Sequence, residues 1–429
     1  MEPAAVAAAA YGIETAIEGG VAAYYLSKPT LPLKGHLEHV TTTDTLPRSG
    51  HTLSVIGDRA YIFGGFGAWG REPINNDIHE LHISTDENIG TAILRSIPAV
   101  RDGREKKIGT VPLARYDHSA TVARNFIFIF GGSGFSPDEG KPLKEHGRLW
   151  IFDPLSSKWS FLDSPPNTPF PCNRTNQIST SSLDGSAVFI HGGLSSDGVC
   201  LNDLWVFYLE EGKWSKLPDA PGPPRNSSSL TCGRGKLWRF GGCEDSDDAD
   251  SNPHGSIDFL EYPTGGTLDD VSESMVQGHT SNLKSTCQWE TWDVDSSKTS
   301  EIPSPRSSAA LHFITTGNGR DYLLLALEAD DREVLSDIWI YQLPPAQYSS
   351  AQMKDVIREK LPGVESHRGD WSRLQISGIE VGADEEKGGA WTGRRRFGSS
   401  MTGTKQFMIW GGIGPGNETL GDGWRVIID

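Results

Sequence analysis

Aromatic and cationic side chains that could bind a ligand cluster in one short stretch of the sequence, Phe66-Gly67-Ala68-Trp69-Gly70-Arg71. An aromatic floor with a few polar groups is what a small-molecule pocket requires. Exposed aromatic side chains of this kind could equally anchor a protein partner. Three more side chains are assigned to the same site, namely His118, Trp391 and Phe397. The stretch therefore predicts a binding site and leaves its ligand open.

This stretch follows the end of a unit that recurs along the chain. In each unit an arginine opens an apolar run, a tight polar turn follows, and a second apolar run ends in Gly-Gly, 15 to 18 residues after the arginine. One unit reaches Tyr322-Leu323-Leu324-Leu325-Ala326 with its glycine pair degraded. The chain thus contains six units, which open at Arg48, Arg115, Arg174, Arg225, Arg306 and Arg396.

Each unit predicts a four-stranded antiparallel sheet. Its two apolar runs are short and rich in β-branched and aromatic residues, and turn formers such as Gly57-Asp58 and Asp184-Gly185 separate them, as in a hairpin. A third run follows the glycine pair, and a fourth usually carries a tryptophan. One such sheet cannot bury both of its faces alone, so the recurrence indicates the blades of a propeller. The glycines would let neighbouring backbones approach closely.

The order of Gly-Gly, aromatic strand and tryptophan resembles the kelch repeat, and the resemblance covers roughly residues 36 to 429. It implies an all-β fold, a six-bladed kelch-type β-propeller. Residues 36–429 are assigned to this domain, and residues 1–35 to an N-terminal helix and linker. Kelch propellers serve as scaffolds, adaptors and enzymes, so the fold alone does not decide the function.

The resemblance also suggests a role for the repeated arginines. In kelch adaptors that hold acidic peptides, the arginine that opens the innermost strand contacts the ligand. The matching positions here, Arg115, Arg174, Arg225 and Arg306 among them, are therefore assigned to substrate binding through bidentate contacts with oxyanions. Arg48, Arg71 and Arg396 are assigned as catalytic. The alternative is that each arginine bonds to carbonyls of the neighbouring blade and only stabilises the ring.

The two ends of the chain are expected to close the ring. The last unit stops after its third strand, and the alternating segment Leu37-Glu38-His39-Val40-Thr41-Thr42 is assigned as the missing fourth strand. Closure of this kind removes open sheet edges. Before it, apolar residues recur at helical spacing at Val6, Ala10, Ile13, Ile17, Val21 and Tyr24. This pattern predicts a short helix that packs on the propeller or on a second subunit of a homo-oligomer.

The composition limits the classes of partner and the cellular compartment that are expected for this chain. The net charge is −17 and no long basic run occurs, which disfavours a nucleic-acid partner. The Ala-rich N-terminus lacks a basic region and contains Glu14 and Glu18, so neither a signal peptide nor a membrane span is expected. The five cysteines show no C-x-x-C spacing. We therefore expect a cytoplasmic protein with reduced thiols.

One acidic loop offers candidate metal ligands. Plant specifier proteins are kelch propellers with a Glu-x3-Asp-x3-His iron site, and the loop here offers Glu244 and Asp248. Asn252 stands where the histidine should be, and His254 comes two residues late. No metal and no other cofactor are therefore expected, and a solvated acidic loop is the preferred interpretation.

Two function classes remain, and the sequence favours the enzyme. The layout of the N-terminal helix and propeller resembles intracellular kelch-like proteins of filamentous fungi, some of which are associated with secondary metabolism. The resemblance implies a cofactor-independent enzyme that catalyses a pericyclic (hetero-Diels–Alder) or related cyclisation of an apolar, polyketide- or terpenoid-like substrate. Such chemistry needs reactants held in near-attack geometry and one donor to a carbonyl. The alternative is a scaffold that binds an acidic protein segment; an iron-dependent specifier-like lyase is the third reading.

Overall fold

Short strands dominate the computed structural model of the protein. The residues that the structure describes are 29–67, 72–83, 92–99, 111–135, 140–244, 257–262, 287–292, 301–316, 319–328, 334–346, 349–360, 366–377 and 391–429. The N-terminal helix expected before residue 28 lies outside these ranges. Within them one α-helix occurs. No helix in the same ranges is long and apolar enough to cross a bilayer.

Hairpins of short strands, separated by loops, follow one another along the described chain. In chain order they are β1 (Lys34–Val40), β2 (Ser49–Ile56), β3 (Arg59–Phe66), β4 (Ile78–His82), β5 (Leu94–Ile97), β6 (Arg115–Tyr116), β7 (Ser119–Ala123), β8 (Phe126–Phe130), β9 (Ser133–Gly134), β10 (Leu149–Asp153), β11 (Lys158–Leu162), β12 (Arg174–Thr175), β13 (Ile178–Ser181), β14 (Ala187–His191), β15 (Leu194–Ser195), β16 (Leu204–Tyr208), β17 (Lys213–Leu217), β18 (Ser229–Gly233), β19 (Lys236–Phe240), β20 (Ile257–Glu261), β21 (Trp289–Trp292), β22 (Ala310–Thr315), β23 (Asp321–Ala326), β24 (Ile338–Gln342), α1 (Ser350–Arg358), β25 (Trp371–Arg373), β26 (Gln375–Ser377), β27 (Gly398–Gly403), β28 (Gln406–Trp410) and β29 (Gly423–Ile428).

These strands form six blades within the described residues, which confirms the six repeats counted in the sequence. From the innermost strand outward the first five blades are β2-β3-β4-β5, β7-β8-β10-β11, β13-β14-β16-β17, β18-β19-β20-β21 and β22-β23-β24-β25. Two-stranded ladders, β6-β9 and β12-β15, extend the second and third blades. A hairpin turn with φ of 55° at Arg234 and 68° at Gly235 joins β18 to β19, as a type I′ turn requires.

The sixth blade is closed by the N-terminal strand, as the sequence predicts. Its order is β27-β28-β29-β1-β26, and β1 pairs antiparallel with β29 from Gly35 opposite Ile428 to Val40 opposite Gly423. On its other edge β1 pairs in parallel with β26, which follows directly after the outer strand of blade five. The closing strand is therefore held on both sides, and no open edge remains there.

The core consists of layers between neighbouring blades. Along β8 the side chains alternate, so that Ile127 and Ile129 pack with blade one while Phe128 and Phe130 pack with blade three. This is the two-residue period of a strand buried on both faces. The outer-strand tryptophans fill the wider space near the rim; Trp214, for example, packs against Phe130 and Phe207. Further apolar layers continue around the ring to the contact of blade six with blade one.

Candidate functional site

The glycine pairs are the points at which one blade touches the next. A Cβ on the first glycine, Gly64, would lie 2.4 Å from the carbonyl oxygen of Arg115 in blade two. A Cβ on the second, Gly65, would lie 2.7 Å from Cβ of His51 in its own blade. Both glycines have positive φ, 68° and 87°. Close approach and left-handed backbone therefore both require glycine here, as the sequence predicted.

A ring of backbone hydrogen bonds encircles the central axis where the innermost strands begin. Its six residues, which we call the inner ring, all have φ between 49° and 63°; they are Gly50, Asp117, Asn176, Ser227, Ser308 and Arg396. At five junctions the N–H of one ring residue donates to the carbonyl of the ring residue in the neighbouring blade, at 2.7–3.0 Å. The inner ring thereby fixes the positions of five side chains, and of Gly50, around one mouth of the channel.

The sixth junction, between blades five and six, is different. There the N–H of Arg396 donates to Oε2 of Glu328 at 3.0 Å. Glu328 and Leu327 occupy the place of the degraded glycine pair, with φ of 35° and 61°. A carboxylate at the position of the second glycine thus completes the ring through a side chain, because a charged acceptor can replace a backbone carbonyl.

Charged and aromatic groups come together beside this junction. The guanidinium of Arg396 forms an ion pair with Asp117 and lies over the ring of Phe66, 5.5 Å from its centroid. Gly50 separates the two charged residues along the ring, and a Cβ there would lie 2.7 Å from Oδ1 of Asp117. The missing side chain at Gly50 lets the pair form. We call Phe66, Asp117, Glu328 and Arg396 the mouth cluster.

The repeated arginines lie inside the blades. Arg115, Arg174 and Arg306 are fully buried, and Arg48 and Arg225 are at most 4% exposed. Each donates to the carbonyl at the first position of its own glycine pair, at 2.8–3.3 Å; in blade five that position is Leu327. The alternative left by the sequence placed these bonds on carbonyls of the neighbouring blade, whereas the structure shows them within each arginine's own blade.

In four blades a carboxylate completes the arrangement. Asp203 accepts two hydrogen bonds from Arg174, at 2.6 and 2.8 Å, and a third from Nε1 of Trp205 at 2.7 Å. Burial alone would raise the pKa of Asp203, but the hydrogen bonds and charge of Arg174 outweigh it and the pKa is lowered. The other three sets are Arg115–Glu145–Trp150, Arg306–Asp337–Trp339 and Arg394–Asp422–Trp424.

In blades one and four, which face each other across the ring, no carboxylate among the described residues hydrogen-bonds to this arginine. Nη2 of Arg48 contacts Nε2 of His79 at 2.6 Å, and burial lowers the pKa of Arg48 to about 10. Arg225 lies 3.9 Å from Asp258, whose Oδ2 accepts from Arg239 at 2.6 Å. Burial lowers the pKa of Arg225 to about 10 as well. Both arginines remain cationic near neutral pH.

The sixth arginine of this set is Arg394, so the assignment of Arg396 to it is wrong by two residues. Arg394 is fully buried, donates to the carbonyl of Gly411 at 3.1 Å and pairs with Asp422. In every blade the inner-ring residue follows two positions after the arginine, which places Arg396 in the inner ring. Three consecutive arginines, 394 to 396, made the spacing ambiguous.

Three buried histidines, on or beside the first two strands of their blades, are packing residues between blades. Nε2 of His118 lies 2.9 Å from the hydroxyl of Thr52 in blade one, and its ring lies edge-on to Phe63. Burial, together with the charge of Arg115, holds the pKa of His118 well below its usual value. Burial also lowers the pKa of His51 and of His191 to about 3. These imidazoles are neutral near pH 7.

Of the remaining predicted site residues that the structure describes, only Phe66 lies in the mouth cluster. Phe66 is buried in the mouth cluster, whereas Trp69 and Arg71 lie outside the described residues. Trp391 donates to the carbonyl of Ser336 and lies edge-on to Trp424, and Phe397 packs in the layer between blades five and six. The catalytic and substrate-binding roles assigned to these residues stay predictions.

Two residues of the mouth cluster were missed by the sequence reasoning. Asp117 follows Arg115 by two positions, and Glu328 stands where a second glycine was expected, so both could have been found by aligning the units. The acidic loop is described only as far as Glu244, and its other residues lie outside the described ranges. Within those ranges no group of three or more metal-ligating side chains occurs.

Comparison with known proteins gives one family and several partial relatives. The family model of the KLHDC2/KLHL20/DRC7 kelch-repeats domain matches residues 104–242. The chain is 28% identical to the F-box/kelch-repeat protein At1g51550 of Arabidopsis thaliana, over 46% of this chain and 39% of that protein. It is 29% identical to kelch domain-containing protein 3 of Homo sapiens, over 50% of this chain and 54% of that protein.

A third relative is an enzyme by name. The N-(sulfonatooxy)prop-2-enimidothioate sulfolyase of Thlaspi arvense is 30% identical over 47% of this chain and 53% of the enzyme. The chain therefore spans about two-fifths to half of the length of these curated relatives. Among solved structures, that of YjhT superimposes with a TM-score of 0.55 at 13% identity, over 89% of this chain and 95% of YjhT, which concerns the fold alone.

Proposed function

Because this chain is a kelch-repeat β-propeller, we propose that it is an interaction module that holds a partner polypeptide at the mouth cluster and the inner ring. One observation carries the proposal. The six buried arginines donate to carbonyls of their own blades, whereas the inner-ring residues, which apart from Gly50 carry polar or charged side chains, are only partly buried. The polar groups open to a partner are then those of the ring.

The mouth cluster suggests an acidic partner segment, or a chain end. Arg396 is the cation of the cluster, and its side chain is about 25% exposed while it pairs with Asp117. A carboxylate of the partner would compete with Asp117 for the guanidinium, and the planar fork of arginine favours such an exchange. Asn176, Ser227 and Ser308 would supply further hydrogen bonds to the partner backbone.

The proposal is tested by quantitative affinity capture with the full chain. We expect the amount of a polypeptide partner captured by the wild type to fall at least about tenfold with Arg396→Ala. The same fall is expected with Asn176→Trp, whose larger side chain is meant to fill the mouth. Arg95→Ala is the matched control, because Arg95 is an exposed arginine on the outer strand β5. Equal capture by all three variants would exclude the mouth as the binding surface.

A small-molecule enzyme is the second candidate, supported by the similarity to the sulfolyase of Thlaspi arvense. A cofactor-free cyclisation in secondary metabolism is the specific form we propose for it, with a cytoplasmic location. Of the assigned catalytic arginines, Arg48 makes no hydrogen bond to a carboxylate among the described residues, although the charge of Asp77 acts on it, and its Nε has no hydrogen-bond partner there. For the enzyme we assign Arg48 as the donor to a reacting oxygen, which requires the substrate to reach a side chain that is 2% exposed.

This second candidate has its own test. Purified protein is incubated with metabolite extracts, and new products are sought by mass spectrometry. A product formed by the wild type and by Arg396→Ala but not by Arg48→Lys would favour the enzyme over the interaction module. If the wild type forms no product, and Arg396→Ala no longer captures the polypeptide that the wild type binds, the result favours the interaction module.

A further inference from the structure

The helix α1 (Ser350–Arg358) is turned with its polar side toward the propeller. Ala351, Asp355 and Arg358 are buried, whereas Met353, Val356 and Ile357 are 67%, 48% and 43% exposed. At 100° per residue these two sets lie on opposite sides of the helix. The apolar face expected from the sequence is therefore present, but it points away from the core.

Buried charges explain why the helix takes this orientation. Arg320, at the edge of blade five, forms a buried ion pair with Asp355 and also donates to the carbonyl of Ala351 at 3.5 Å. Arg358 adds a second contact to Asp355 at 3.1 Å. A buried arginine needs a carboxylate partner, so Asp355 must face inward and the apolar side must face outward. The outward face then needs a cover of its own.

The described chain begins next to this helix. Oγ1 of Thr30 donates to the carbonyl of Ser366 at 3.1 Å, and the hydroxyl of Tyr322 donates to the carbonyl of Thr30 at 3.5 Å. Leu31 is buried in the same layer as Tyr322. Tyr322 follows Arg320 by two residues, and Arg320 holds α1 through Asp355, so Thr30 lies beside the part of blade five that carries the helix.

We propose that residues 1–28 cover the outward face of α1, with their apolar stripe on Met353, Val356 and Ile357. The stripe runs from Val6 to Tyr24 at helical spacing and spans about 27 Å as a helix, which is longer than the nine residues of α1. Charge complementarity supports this occupant. Glu14 and Glu18 adjoin the stripe, and the exposed Lys354 and Lys360 flank the apolar face of α1.

Photo-crosslinking in the full chain tests the contact directly. A benzophenone amino acid replaces Met353 in one variant and Leu155 in the control; Leu155 is 97% exposed in a turn of blade two. We expect the probe at 353, and not at 155, to form intrachain crosslinks that map to residues 1–28. Crosslinks between two chains, or none to residues 1–28, would overturn the proposal.

Hydrogen exchange gives an independent measurement. The double substitution Met353→Glu/Ile357→Glu places charge on the exposed face and leaves the buried ion pair intact. We expect amide exchange in residues 1–28 to accelerate at least about tenfold, while exchange in the blades stays unchanged. Leu155→Glu is the control and should leave residues 1–28 as in the wild type. Identical exchange of residues 1–28 in all three proteins would contradict the contact.

Discussion

The backbone N–H of Arg396 donates to a side-chain oxygen of Glu328, at the one junction of the inner ring where its neighbour in the ring does not accept it. At the other five junctions a backbone carbonyl accepts, at 2.7–3.0 Å. The ring is therefore closed by five backbone bonds and one carboxylate. Since Arg396 also pairs with Asp117, the carboxylates of two blades converge on one arginine.

Removal of this carboxylate is expected to weaken the junction of blades five and six. Glu328→Ala would leave the N–H of Arg396 without its acceptor, and we expect a loss of about 1–3 kcal/mol in the free energy of unfolding. Glu328→Gln keeps an acceptor oxygen and should lose less. Urea denaturation measures both variants. An Ala variant as stable as the wild type would show that the Glu328 bond contributes nothing.

The buried arginine–carboxylate pairs are expected to dominate the stability of their blades. Asp203→Ala leaves Arg174 buried without a carboxylate, which we expect to destabilise the fold by about 3–5 kcal/mol. Glu210→Ala in the same blade removes an exposed partner of Arg124 and should cost less than about 1 kcal/mol. Comparable midpoints of chemical denaturation for the two variants would contradict this ranking.

The interblade histidines predict a loss of stability on mild acidification. The pKa of His118 is lowered in the folded protein, so the unfolded chain binds the extra proton as the pH falls below about 6.5. The free energy of unfolding therefore has its full value above about pH 6.5. Below that pH it falls by about 1.4 kcal/mol per pH unit for each such histidine.

His118→Gln tests this titration, because Gln177 fills the matching position in blade three and donates to the carbonyl of Phe130 at 2.8 Å. We expect the variant to lose about 1.4 kcal/mol per unit from the slope of stability against pH between pH 6 and 5. The difference between variant and wild type should be constant above pH 7.5. An unchanged slope at low pH would show that His118 is not the titrating group.

The glycine pairs are expected to be far less tolerant of a methyl group than the turn glycines. Gly64→Ala brings a Cβ to 2.4 Å from a backbone oxygen of the next blade, and we expect a loss of more than about 3 kcal/mol. Gly57→Ala, at nearly the same φ but with nothing within 4 Å, should cost only about 1–2 kcal/mol. Thermal unfolding of the pair would separate close approach from backbone strain, and equal losses would contradict the role of close approach.

The sequence was sufficient for the fold because the repeat combines several independent signals. The degraded unit was found from Arg306 and the apolar run to Ala326, and the structure places Leu327 and Glu328 there with positive φ at both positions, as in a glycine pair. The closing strand was found from its alternating pattern. Both signals come from local backbone and burial preferences, which a single sequence records.

The candidate site was predicted less well, because side-chain direction is not encoded in repeat spacing. The arginines were expected around the mouth, yet Asp203 and Trp205 show that an Asp-x-Trp pattern on the third strand draws the arginine into its own blade. The same pattern at Asp422 and Trp424 identifies Arg394 rather than Arg396. A search of the sequence for an Asp-x-Trp partner of each repeat arginine would have found both the inward direction of Arg174 and the assignment of Arg394.

The double pairing of β1 has a consequence for synthesis on the ribosome. Val40 pairs with Gly423, so the main partner of β1 is translated some 380 residues after it. At ~5–20 residues per second, this delay is on the order of 20–80 seconds. The strand β26, which pairs with Lys34 to His36, emerges earlier and offers β1 a partner before β29 exists. The nascent chain would otherwise carry an unpaired strand while the last blade is still being made.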